Sequence, residues 1–127
     1  MLAVKSTYLR QAVIKAVLGE ATFPSITNTY LALYTNDPTI ADTGTEVTGG
    51  SYARQQLSFA SASGGSKVSN TSETFSSMPA TTVTHWGVRD ASSGGNLLYF
   101  GSFAIPIQLN AGNNLVINSG DIVLGET

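Results

Sequence analysis

Apolar and polar positions along the chain follow two different periods, and the change comes early. From Ser6, Leu9, Ala12, Val13, Ala16 and Val17 recur at helical spacing, and Gly19 follows where a left-handed residue would end a helix. This predicts one short N-terminal α-helix capped by Ser6. Beyond Pro24 the period becomes two. Leu31 and Leu33 alternate within Tyr30–Tyr34, Leu57 alternates with Phe59, and Thr84, Trp86 and Val88 mark one face of another strand. Leu97–Phe103, Ile105–Leu109, Leu115–Ile117 and Ile122–Leu124 are further strands, with a weaker pair around Val68 and Phe75.

Turn-forming residues separate these runs: Asn36-Asp37-Pro38, Gly49-Gly50, Gly64-Gly65, Ser92-Ser93-Gly94-Gly95, Asn110-Ala111-Gly112-Asn113 and Ser119-Gly120-Asp121. Short strands at such spacing predict an all-β domain, a single jelly-roll-like antiparallel β-sandwich preceded by the helix. The division is a helix or arm at 1–22 and a sandwich at 23–127. Pro106 cannot donate to a ladder, so it marks an edge, a bulge or a break. The long Thr35–Ser51 stretch has the length of a loop that is functional or ordered by a partner.

Composition changes the picture at the surface. Charged residues are 11% of the 127, against roughly 25% in an ordinary soluble domain. Serine, threonine, asparagine and glycine take their place, and the net charge is −2. Six basic residues are too few to neutralise a nucleic-acid backbone, so no nucleic-acid partner is expected. A weak field would also let identical copies crowd. No leader and no membrane-spanning run is visible, and the expectation is a soluble product made in the host cytoplasm with no membrane partner.

Chemistry is sparse. There is no cysteine and one histidine. His85 falls in a strand where alternation gives it a face in common with Val83 and Arg89, a surface position rather than a triad. Asp37, Asp42 and Glu46 share one loop, but their spacing fits no EF-hand, and solvated turn formers are the expectation. Ser63-Gly64-Gly65-Ser66-Lys67 lacks the order of a phosphate loop. Asn70-Thr71-Ser72 fits a glycosylation acceptor in form only. No catalytic residue, metal site or cofactor is expected, and Trp86 reads as a core filler.

Four segments carry a resemblance: YLALYTNDP (Tyr30–Pro38), TEVTGGSYARQ (Thr45–Gln55), VTHWGVRDASSGGNLLYFG (Val83–Gly101) and NSGDIVL (Asn118–Leu124). Together they resemble small structural proteins of tailed-bacteriophage virions, often labelled tail-fibre-like or minor tail proteins, some of which serve as capsid cement. The resemblance implies a non-enzymatic virion component. The reading it favours is a cement or decoration protein on the outer capsid surface, a homo-oligomer bridging subunits of the major capsid protein. A tail, fibre or baseplate component is the alternative, although the chain has no fibre repeats or heptads. A carbohydrate-binding module using Tyr8, Tyr34 or Tyr52 is the alternative of another class. The candidate subunit-interface residues are Leu9, Val13 and Val17 on the helix, and Tyr52 and Arg54, residue types common at interface hot spots. The plainer reading of Tyr52 and Arg54 is that they begin a strand.

Overall fold

The structure is a computed structural model that describes residues 3–125. In chain order its elements are β1 (Val4–Lys5), α1 (Thr7–Val17), β2 (Thr29–Tyr34), β3 (Gln55–Leu57), β4 (Ser66–Val68), β5 (Glu73–Phe75), β6 (Thr81–Arg89), β7 (Leu97–Leu109), β8 (Leu115–Ile117) and β9 (Val123–Gly125). Ser6 sets the first junction. Its Oγ accepts the Leu9 N–H at 3.1 Å as an N-cap, and it donates to the Leu97 carbonyl, so one buried hydroxyl starts the helix and ties it to β7. Gly19, at φ +75, follows the C-terminus as expected.

Five strands form one antiparallel sheet in the order β1-β7-β6-β2-β3. The remaining four form two antiparallel ribbons, β4 with β9 and β5 with β8. The chain is thus mostly β with one short helix. The expected jelly-roll order is not formed by these pairings, since a jelly roll has eight strands in two sheets linked as Greek keys. The short ribbon strands, three residues each, do not merge into a second sheet. β1 escaped the sequence reading because two residues have no period; its pairing with Tyr99 and Phe100 makes the N-terminal arm the edge of the sheet.

One hydrophobic core joins the sheet to the ribbons. Leu31, Leu33, Val83, Trp86 and Val88 from the sheet meet Phe75, Ile117, Ile122 and Leu124, each burial contributing about 1.5–3 kcal/mol. Registers explain the face: Leu31 pairs with Val88 and Leu33 with Trp86. Trp86 lies across Gly101, where a Cβ would come within 2.7 Å of its ring. The opposite face is buried as well. Ala32, Tyr34, Gly87 and Phe100 lie outside that core yet exclude solvent. They are covered by α1, which packs on β7, and by the loop after Pro38, which Asp42 fastens to Arg89.

Two irregularities in β6–β7 correct the strict alternation read from sequence. Val83 pairs with Ile107 and His85 with Ser102, so the four residues 103–106 stand opposite Thr84 alone. Pro106 sits in this bulge, where its missing donor costs no ladder bond. The two predicted strands Leu97–Phe103 and Ile105–Leu109 are one strand, β7. The same shift puts Val83 in the core and leaves His85 on the other face, so these two do not share a side as the alternation implied.

Candidate functional site

The polar side chains concentrate at one place, around the turn between β6 and β7. Arg89 ends β6 with its side chain 8% exposed, and its guanidinium forms a two-pronged pair with Asp42, 2.8 Å on each prong. It also donates to Tyr34 Oη at 3.0 Å and to the carbonyls of Gly94 and Gly95 at 3.3 and 3.0 Å. Arg54, just before β3, repeats the arrangement. It holds Glu46 at 2.8 and 2.9 Å and reaches the carbonyls of Ala91 and Gly94, both at 2.9 Å. Tyr52 completes this second cluster. Its hydroxyl donates to Glu46 at 2.6 Å and accepts the Leu33 N–H at 3.0 Å, while its ring stacks on Phe75 at 5.9 Å.

The long loop is therefore ordered by its own chain. Asp42 is the exposed turn residue expected from sequence, whereas Glu46 is half-buried. Both are ion-paired, and Asp42 holds φ +57, a conformation that aspartate tolerates better than most residues. Gly44 closes the loop on itself, since a Cβ there would come within 2.6 Å of Pro38 Cα.

Electrostatics follow from this packing. Burial opposes the Glu46 charge, but hydrogen bonds from Arg54 and Tyr52 outweigh it and hold the carboxyl below its ordinary range. Burial and the neighbouring Glu46 push the Tyr52 phenol far up. The Glu46 hydrogen bond raises Arg54. Burial alone would lower Arg89, yet Asp42 and Tyr34 raise it. Burial likewise raises Tyr34. Each group is locked in its ordinary charge state, the reverse of what an acid or base working near neutrality requires.

The cleft above this cluster, about 350 Å³, is lined by Glu46, Val47, Tyr52, Ala53, Arg54, Ser92 and Ser93. Its charged atoms already satisfy one another. His85 is half-buried with Nδ1 at 2.8 Å from Thr84 Oγ1. Among the described residues, no three metal-ligating side chains converge, and Asp37 does not join Asp42 and Glu46. Also among the described residues, no helix is long and apolar enough to cross a membrane.

The predicted interface residues fall in two places. On α1, Leu9 is buried against the chain's own fold, Val13 is half-buried and Val17 is 75% exposed. Tyr52 and Arg54 lie together in the cluster described above, with their polar atoms engaged within the chain. Of the tyrosines proposed as a sugar platform, Tyr34 is 2% exposed and Tyr52 is covered by Phe75, which leaves Tyr8 as the exposed one of the three. The sequence reading missed Ile14 and Leu18, which are 56% and 75% exposed. Four residues apart, they form a second apolar stripe off the one that Leu9 begins, a signal visible on a helical wheel.

A search of curated proteins gave no match. The profile of the family described as podophage GP4 fiber I protein gp80 matches residues 4–125, from β1 to the end of β9. That match backs the tail or fibre alternative better than the cement reading. The chain belongs to the podophage GP4 fiber I protein gp80 family and is a fibre-type structural protein of a bacteriophage virion.

Proposed function

We propose that the chain is a non-enzymatic subunit on the tail side of the virion, acting in or beside a fibre through contacts with other protein subunits. The observation that carries this is the family match across residues 4–125, which spans the whole fold rather than one motif. The side-chain chemistry supports it. The charged groups that cluster most tightly, Arg54 with Glu46 and Arg89 with Asp42, pair with each other and brace a loop against a turn. Such a site confers shape. The partner on this reading is another tail or fibre protein rather than the major capsid protein.

Labelling tests the location. An epitope tag at a solvent-facing turn, such as Gly64-Gly65, is detected on intact particles by gold-labelled antibody and electron microscopy. Label on the tail side, lost when tails are removed, is the expected result. Abundant label retained on tail-less heads would overturn the proposal in favour of capsid decoration.

A further inference from the structure

Two guanidinium groups, each 8% exposed, are committed to one short turn. Arg54 donates to the carbonyls of Ala91 and Gly94, and Arg89 to those of Gly94 and Gly95, although the turn itself is exposed from Ser92 to Gly95. Ion pairs withdrawn from water stabilise a fold weakly, and in some folds their use is to fix a single geometry. What Arg54 fixes here is a wall of the cleft of about 350 Å³, where Ser92 and Ser93 join Arg54 and Glu46 in the lining.

The Arg54–Glu46 pair is balanced in charge but not saturated in hydrogen bonds. A guanidinium carries five N–H donors and a carboxylate about four acceptor sites. Arg54 gives Nε and one Nη2 N–H to Glu46 and both Nη1 N–H groups to the turn, which leaves one Nη2 N–H. On Glu46, Oε2 accepts from Tyr52 and from Arg54 Nε while Oε1 accepts from Arg54 Nη2 alone. A spare donor and a spare acceptor thus sit on two atoms 2.8 Å apart. The Ser92 and Ser93 hydroxyls are exposed and bond no other described residue.

These groups select a class of ligand. Glu46 and Arg54 are the charged members of the described lining and neutralise each other, so an ion entering the cleft would lose hydration without meeting a free counter-charge. A neutral molecule with an acceptor and a donor on neighbouring atoms satisfies both spare sites at once. Two adjacent hydroxyls do so, one accepting from Arg54 Nη2 and the other donating to Glu46 Oε1. We propose that the cleft binds a neutral sugar, with two adjacent ring hydroxyls on the Arg54–Glu46 pair and further hydroxyls on Ser92 and Ser93. Val47 and Ala53 give the C–H face of the ring an apolar contact, and the volume lies in the range of small-ligand sites, roughly 300–1,000 Å³. Recognition here is by hydrogen bonds, unlike the tyrosine platform read from sequence; Tyr52 acts through its hold on Glu46.

Amide NMR of the full chain, titrated separately with the methyl glycosides of mannose, galactose and glucose, tests it. The three differ in the arrangement of adjacent hydroxyls. The expected result is a saturable shift of the Ala53, Arg54, Ser92 and Ser93 amides with at least one of them, and binding about tenfold weaker for its analogue lacking one of the adjacent hydroxyls. Ser92→Ala/Ser93→Ala should also weaken binding about tenfold and leave the thermal unfolding midpoint unchanged, because those hydroxyls bond nothing in the fold. No saturable shift with any of the three sugars overturns the proposal, and so does undiminished binding by the serine variant. Tighter binding of methyl glucuronide than of methyl glucoside would overturn the neutral ligand. A stronger response to N-methylacetamide than to the sugars would overturn it in favour of a peptide amide. Particle labelling does not depend on the cleft, so failure here leaves the tail-side location standing on its own test.

Discussion

Asp42→Asn is expected to destabilise the fold more than Arg89→Met, although Arg89 makes the larger number of hydrogen bonds. The Arg89 side chain is 8% exposed and Asp42 34% exposed. Replacing Asp42 leaves a guanidinium out of water with its counter-charge gone, and breaking a buried pair in this way costs about 3–5 kcal/mol. Asp42 lies near the surface, which lowers the expectation to about 3 kcal/mol. Replacing Arg89 leaves a carboxylate that water can reach, and the Gly94 and Gly95 carbonyls lie in an exposed turn where water also replaces the lost donor. The buried Tyr34 hydroxyl is the main group stranded, and the methionine retains the apolar stem, for a cost of about 1–2 kcal/mol. Urea unfolding followed by Trp86 fluorescence separates the two. With a slope of about 2 kcal/mol/M, the midpoint falls by about 1.5 M for Asp42→Asn and by less than about 1 M for Arg89→Met. The double variant should lie close to Arg89→Met, because removing the guanidinium removes the reason Asp42 mattered. The reverse order would refute the reasoning, since stability would then follow hydrogen-bond number rather than the desolvated charge.

Tyr52→Phe keeps the stack on Phe75 but strands the Leu33 N–H inside the fold, so a loss of about 1–3 kcal/mol is expected in thermal unfolding; an unchanged midpoint would mean that another acceptor takes the N–H. Glu46 has a folded-state pKa below its unfolded value, so its contribution is fully present above pH 4.5, the ordinary value, and is lost as pH falls through the folded one. Stability measured down an acid series should therefore drop less steeply in Glu46→Gln, which starts lower at neutral pH; parallel curves would contradict the assignment. Gly101→Ala places a Cβ against the Trp86 ring and should cost about 1–3 kcal/mol with a shift in tryptophan emission, and a neutral outcome would show that the ring can move aside.

Local chemistry was legible in the residues because it depends on neighbours in the chain. Ser6 and Gly19 bound the helix through backbone geometry that any serine cap or left-handed glycine would supply. The glycine pairs at Gly49-Gly50, Gly64-Gly65 and Gly94-Gly95 all hold positive φ, as turns between strands require. Periodicity located β2, β6, β7 and β8, and even the weak signals at Val68 and Phe75 correspond to β4 and β5. Isolation of His85 and the lack of cysteine were equally plain, since a count needs no geometry.

Partnership across the chain was not legible. Nothing near Asp42 in sequence points to Arg89, 47 residues away, and only the docking of the loop on the sheet's second face brings them together. The same topology turned Tyr34, polar-tipped and alternating outward by period, into a buried residue, because the loop and α1 cover that face. Thr84 became the pivot of a bulge because β7 sets four residues against it, a mismatch between two strands that neither strand's own pattern contains. By itself the sequence determined where this chain bends, coils and extends, and that it carries no cysteine and a single histidine. Which charges neutralise one another was decided by the tertiary structure, because Coulomb and desolvation energies depend on distance and burial rather than on order along the chain.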